Sequence, residues 1–413
     1  MAKEWRLQIM DKQNQVKYFD ERDTMTLRAS LIEGTKAYND YYQQHPERRE
    51  MDDEIRANGG LMTMFSSFRI DEKEVENMAS QKLIGLVSQL ISTFPAIRPF
   101  MMNKMVGKLS GMIEKLPDED RVIASVNNAM STIPLFVEAD KKKPSKKKVN
   151  VDPAKMSNLV KEVAKYYGAS QVGIVKMKDY HYYTHNSDGR PVDQKYDYAI
   201  VYAKEMNKDL INRAPKTEEV LGAWNGYVDV AFIGSRLSSY VKSLGYDTFF
   251  NNVTSYNSPM VQLAEAAGIG QIGRSNLIVT KEYGNRVRLG AIMTNLPLEA
   301  SQPIDFGMKE FCMLCGKCAK NCPTKAISND SPQPINGLDV WEHDEAKCML
   351  MWTRVGGDCG ICMSSCPFSQ GVDIEKINNM KGNPEIMKEI IREDFERYGK
   401  RAYIKDELPI ANL

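Results

Sequence analysis

Eight cysteines carry the densest chemistry in this chain of 413 residues, and all of them fall between Cys312 and Cys366. The run Cys312-x2-Cys315-x2-Cys318-x3-Cys322-Pro323 has the spacing in which three thiolates hold one four-iron cluster and the fourth reaches across to a second. A second set follows as Cys348-x10-Cys359-x2-Cys362-x3-Cys366-Pro367. By that crossing rule Cys312, Cys315, Cys318 and Cys366 hold one cluster, and Cys322, Cys348, Cys359 and Cys362 hold the other. Structural zinc is the competing use of C-x2-C. Three successive short gaps closing on Cys-Pro, however, are not the separated pairs of a zinc ribbon. Confinement to one short segment also argues against a disulfide framework. Two 4Fe-4S clusters form a one-electron wire, and a wire alone needs only a short domain. The long upstream region is therefore expected to hold the redox catalyst that the wire feeds.

Composition bounds what that catalyst works on. Lys and Arg number 55 against 54 Asp and Glu, a formal charge of +1, which gives little field for gripping a polyanion, so no nucleic-acid partner is expected. The 42% hydrophobic content is enough for real cores and for two or three structural units. No stretch reaches the roughly 18 apolar residues of a membrane span, and Met1-Ala2-Lys3-Glu4-Trp5 opens without the apolar core of a signal peptide. Methionine, at 24 residues, suits flexible filling of irregular apolar space.

Four regions are expected. Residues 1–150 read as mainly helical, with an amphipathic stretch at Gln81–Ile91, breaks at Pro95 and Pro99, and an apolar face resuming at Phe100–Val106. Six lysines around one proline, Lys141 to Lys148, read as a solvated linker. Residues 151–303 alternate helix and strand: a helix from Met156 to Tyr167, strands at Gln171–Val175 and Tyr198–Tyr202, and a long helix from Glu218 to Leu244 capped by Gly245. Residues 304–375 hold the cysteines, and 376–413 form a helical tail.

Gly268-x-Gly270-x-x-Gly273 matches the dinucleotide-binding spacing but follows a helical segment, Leu263–Ala267, and precedes the strand-like Asn276–Val279. That order is reversed for a nicotinamide site. The glycines are instead a helix cap with a tight turn, or a place where backbone approaches another large flat cofactor.

Several spaced segments agree on a family: Leu244-Gly245-Tyr246, Ala266–Arg274, Glu282–Leu289 and Thr294–Leu298, standing in that order ahead of the double cysteine motif. In this they resemble the corrinoid-dependent reductive dehalogenases, over about Met156 to Gly371, in particular the catalytic subunits of the respiratory branch. The resemblance implies an α+β or α/β, nitroreductase-like core that binds cobalamin with its lower axial base displaced, beside a ferredoxin-like domain with two 4Fe-4S clusters. Among the four histidines, His181 in Asp179-Tyr180-His181-Tyr182-Tyr183-Thr184 half-matches D-x-H-x-x-G but has Thr for Gly, and reads as a packing or surface residue. The related epoxyqueuosine reductases act on a tRNA base and carry an Asp three residues before the proline ahead of their glycine segment. Here Tyr256-Asn257-Ser258-Pro259 puts Tyr there.

The resemblance also implies roles. Tyr227 is the expected proton donor, Arg286 the partner that stabilises its anion, and Asn252 a holder of the hydroxyl. Tyr256 is the rival acid and, with Gly268, Gly270, Gly273 and Arg274, an expected cofactor contact. A phenol, whose ordinary pKa is about 10, becomes a usable acid when a guanidinium stabilises the phenolate. The expected function is removal of halide from a small organohalide, such as a chlorinated alkane or alkene, in anaerobic organohalide respiration. The alternatives are a tRNA-modifying reductase and a non-catalytic iron–sulfur electron carrier. The expected partners are an external electron-donor protein and a small membrane-anchor subunit, with a dimer among the open assembly states. The expected place is the outer face of the cytoplasmic membrane, after removal of a twin-arginine signal, with the cytoplasm as the alternative.

Overall fold

The protein was analysed as a computed structural model, which describes residues 18–58, 60, 132–139, 141–187, 189–253, 256–335, 338–355 and 357–406. The segments Gln81–Ile91 and Phe100–Val106, singled out in the sequence, lie outside the described residues.

The centre is a four-stranded sheet of β1 (Gln171–Lys176), β2 (Tyr198–Glu205), β3 (Thr248–Asn251) and β6 (Val287–Thr294), in the order β1-β2-β6-β3. Two short strands, β4 (Gln271–Ile272) and β5 (Ile278–Val279), pair with each other outside it. Every pairing in the large sheet is antiparallel, with Ile200 opposite both Ile174 and Ile292, so of the two expected classes the core is α+β. Alternation sorts the side chains by face. Ile200, Tyr202 and Ile292 join a core with the helices Pro153–Tyr166 and Thr217–Ser243. Ala199, Val201, Ala291 and Met293 join a second core with the helix Met260–Ala266.

The helix Thr217–Ser243 ends where expected, on Gly245 with φ +88°. The lysine-rich segment before the core is not the free linker its composition predicts. Its side chains are exposed, but Ser145 N–H donates to the Lys242 carbonyl at 2.8 Å and Val149 N–H to the Leu244 carbonyl at 2.9 Å, so the backbone satisfies the open carbonyls of that helix end.

The cysteine region builds a third core in which Phe306, Phe311, Trp341 and Phe368 are buried with Met387 and Ile390 of the helix Pro384–Tyr398. The segment expected to be a tail is thus part of this unit, and the buried pair Lys317–Asp394 ties it to the first cysteine run. Arg286 joins the cysteine unit to the sheet: its guanidinium donates to the carbonyls of Ser369 and Met206, both at 2.7 Å, and to Glu205 Oε1 at 2.8 Å. Near the N-terminus, Met25, Ala29 and Ile55 pack on Ala346 and Met349.

Candidate functional site

The eight cysteines divide into two hollows, and the division matches the crossing rule. Cys312, Cys315, Cys318 and Cys366 line a small outer cup with Gly273 and Arg274. Cys322, Cys348, Cys359 and Cys362 line one wall of a separate cavity of about 400 Å³. Burial pushes the thiols of Cys318 and Cys348 up to about 12 and that of Cys359 up to about 11. After burial, neighbouring thiols contribute in the same grouping: Cys318, Cys366 and Cys315 act on Cys312, and Cys359 and Cys322 act on Cys348. Cys362 also feels Cys318, which puts the two sets side by side. Among the described residues no three His, Cys, Asp or Glu side chains converge on one ion position. Four thiolates around one zinc would stand about 3.8 Å apart, given Zn–S bonds of about 2.3 Å. The donor set therefore fits two multi-iron clusters, whose thiolates bind different corners.

The outer cup is fastened by Arg274. Its backbone N–H points at Cys312 Sγ at 3.4 Å, and its guanidinium donates to the carbonyls of Cys312, Ser328 and Asp330. The glycine spacing serves the same packing. Gly268 has φ +73° at the helix end, and a Cβ on Gly270 would meet the Val279 carbonyl at 2.3 Å. Gly273 packs on Val279 beside Cys312 Sγ. Gly268 and Gly270 line neither hollow, and Gly273 and Arg274, expected as cofactor contacts, line the outer cup. The chain's large cavity is instead reached by the next residues, Ser275, Leu277 and Ile278.

The same cavity is lined by Tyr227, from the long helix, and Arg288, from β6. The Arg288 guanidinium carbon lies 4.1 Å from the centre of the Tyr227 ring, a cation–π stack. Gly226 permits the approach, since a Cβ there would sit 3.1 Å from Arg288 Cβ. Burial opposes the Arg288 charge, but Tyr227, Asp358, Tyr256 and Glu219 around it hold its pKa above the ordinary arginine value.

Arg286, the partner expected from sequence, is committed to Ser369, Met206 and Glu205 and does not line the cavity. Arg288 takes that place. Asn252 is buried outside the cavity lining, and its amide donates to the Phe250 carbonyl at 2.9 Å. Tyr256 does reach the cavity, and burial, then the neighbouring Tyr227, push its phenol well above the ordinary range, with Arg288 opposing. His181 lies elsewhere, buried, with Nδ1 accepting from the Lys178 N–H at 3.2 Å.

Three wall residues gave no signal in the sequence. His343 lines the cavity, and burial holds its imidazole below the ordinary range. Glu219 is fully buried, and among the described residues neither of its carboxyl oxygens, nor Asp358 Oδ1, nor Arg288 Nε has a hydrogen-bond partner. Their burial raises Glu219 well above the ordinary carboxylate range and Asp358 in the same direction. Orphaned polar groups beside an otherwise apolar wall of Val261, Leu277, Ile278 and Leu289 suit a large organic ligand with a polar rim. Alternation along β6 puts positions 288, 290 and 292 on the face toward the long helix, but it puts 286 in the same phase, so alternation alone does not choose between the two arginines.

Residues 311–370 match the family model described as a 4Fe-4S dicluster domain. In sequence the chain is 29% identical over 262 residues to the tetrachloroethene reductive dehalogenase of Sulfurospirillum multivorans, covering 53% of this chain and 51% of that one. It is 32% identical to the trichloroethene reductive dehalogenase of Dehalococcoides mccartyi over 33% of this chain and 24% of that one. The chain is similar to these reductive dehalogenases. It spans about half or less of the length of these reductive dehalogenases. A shorter region, 30% of the chain, is 30% identical to the epoxyqueuosine reductase of Lactococcus garvieae and covers 36% of it. The reductive dehalogenase fold is shared with a solved structure described as suggesting a mechanism for B12-dependent dehalogenation, at a TM-score of 0.61 and 23% identity over 72% of this chain and 46% of that one.

Proposed function

We propose that this protein is a reductive dehalogenase that removes halide from a small organohalide, with a corrinoid bound in the cavity, its lower axial base displaced, and two 4Fe-4S clusters feeding it. The observation that carries this reading is one cavity lined both by a stacked Tyr227–Arg288 pair and by a set of four cysteines.

Exchanging a carbon–halogen bond for a carbon–hydrogen bond consumes two electrons and one proton and releases halide. A bound corrinoid supplies the two-electron chemistry, refilled by single electrons from the clusters. The chain's own residues supply the proton and the setting. Tyr227 donates its hydroxyl proton, and the adjacent Arg288 cation lowers the cost of the phenolate left behind. Tyr256 is the poorer acid, because burial disfavours its anion, and its O–H instead positions what the cavity holds. The apolar walls exclude water and strengthen both effects. A chlorinated alkane or alkene is the substrate class, supported by the names of the relatives. An external electron donor, a membrane-anchor subunit and a place at the outer face of the cytoplasmic membrane complete the proposal, with a cytoplasmic enzyme as the alternative. Among the described residues no helix is long and apolar enough to cross a membrane.

The test is halide release under strong reduction, screened over chloroalkanes, chloroethenes and chlorophenols, for the parent and Tyr227→Phe. The variant is expected to keep corrinoid and iron while losing roughly 100-fold or more of turnover. Parental turnover in Tyr227→Phe would remove the tyrosine from the mechanism. Retardation of tRNA with no halide release would favour the tRNA reductase instead.

A further inference from the structure

We propose that an acidic one-electron carrier protein docks over the outer cysteine cup, on a face made by Met313, Leu314, Lys320, Lys325 and Lys400. The inference rests on the reading that the cups hold iron–sulfur clusters, and it identifies where their electrons enter.

Three observations converge on this face. First, the last turn of the helix Met308–Cys315 sends two large apolar side chains outward: Met313 is 47% exposed and Leu314 46% exposed, while the two flanking cysteines are buried. Arg274 backs the turn, with Nη2 lying 3.8 Å from Met313 Sδ, so the knob stands on a fixed base. Second, the chain beside the knob is locally basic. Residues 311–328 contain Lys317, Lys320 and Lys325 and no Asp or Glu, and residues 398–405 contain Lys400, Arg401 and Lys405 and no Asp or Glu. The whole chain carries only +1, so this is a local concentration. Third, the fold brings those segments together. Asn321 Nδ2 donates to the Lys400 carbonyl at 2.7 Å, and Lys317 Nζ donates to the Gly399 carbonyl at 3.1 Å. Lys320 Nζ lies on the Cys315 carbonyl at 3.4 Å, and Lys325 Nζ on the Lys320 carbonyl at 3.0 Å. Lys317 is neutralised by Asp394, which leaves Lys320, Lys325 and Lys400 as exposed cations.

An apolar knob beside a locally basic segment is the complement of a carrier whose own redox group sits in an acidic surface. One electron leaves the carrier, which is oxidised by one electron, and the outer cluster is reduced by one. No bond or proton changes hands. The four cysteines of the cavity wall belong to the other set, so the entry face and the reaction cavity are served by different clusters.

The experiment mixes the full chain, loaded with iron and sulfide, with the hydroquinone of an acidic flavodoxin and follows the flavin semiquinone as it appears. The second-order rate is expected to fall as salt rises and to drop by about 10-fold or more in Lys325→Glu/Lys400→Glu at low salt. Cluster reduction by a small neutral deazaflavin radical is expected to stay at the parental rate. Leu314→Ser is expected to weaken carrier binding by calorimetry while leaving the salt dependence intact. A parental flavodoxin rate in the charge-reversed variant, or a rate that rises with salt, would overturn the docking face. An iron-free protein would instead sink the cluster reading beneath it.

Discussion

Arg286 and Arg288 flank a single valine, yet they do unrelated work. Arg286 stands just ahead of β6, and its Nε and Nη1 donate to two carbonyls and Glu205. Arg288 lies inside the strand, faces the long helix and stacks on Tyr227. A substitution at each position therefore reads out a different quantity. Arg288→Leu is expected to cost about 100-fold or more in turnover, and Arg288→Lys to restore only part of it, because an ammonium keeps the charge without the planar stack. Arg286→Leu strands two backbone carbonyls and is expected to cost about 2–3 kcal/mol of stability, seen as a lower thermal midpoint. Equal thermal loss in both leucine variants, with no separate loss of turnover at position 288, would reduce Arg288 to a structural residue. Choosing between these arginines needs the packing, because at the end of a strand the face is set by where pairing begins.

The elements themselves were largely legible. Alternation predicts β1 and β2, and the long helix with its Gly245 cap appears within a residue of its expected bounds. Strand direction was not legible, because pairing is settled by which edges meet. Likewise the lysine run reads as linker from charge alone, whereas its backbone is needed to cap a helix. His181, whose half-match to D-x-H-x-x-G reads as a packing or surface residue, is buried in the 3-10 turn Asp179–His181. Burial, reinforced by the charge of Lys178, lowers its pKa from 6.5 to about 4. The unfolded chain then binds a proton that the folded chain refuses between those values. Stability from this residue is therefore complete above about pH 6.5 and is lost as pH falls toward 4, by at most about 3 kcal/mol. Denaturant titrations at pH 7 and pH 5 are expected to show a smaller difference in His181→Gln than in the parent; an unchanged difference would put the acid sensitivity elsewhere.

At the scale of the whole molecule the two cysteine sets lie side by side but serve different hollows, which makes their losses separable. Cys366→Ser should damage the outer cluster, and Cys322→Ser the cluster on the cavity wall. Iron content should fall toward half in each. Low-temperature electron spin resonance of the reduced proteins should then show two different residual cubane spectra; identical residual spectra would break the assignment. By itself the sequence determined the cysteine spacing of a 4Fe-4S domain, since cluster coordination imposes a spacing that local backbone geometry must obey. It also determined the mixed helix and strand content of the core and picked out Tyr227, a cavity residue. Only the tertiary structure decided that Arg288 and not Arg286 meets Tyr227, that the glycine turn seats the outer cysteines, and that Glu219 and Asp358 share the cavity wall. Each of those depends on contacts between residues far apart in the chain, which arise from the packing of sheet against cysteine unit and leave no periodic mark in sequence.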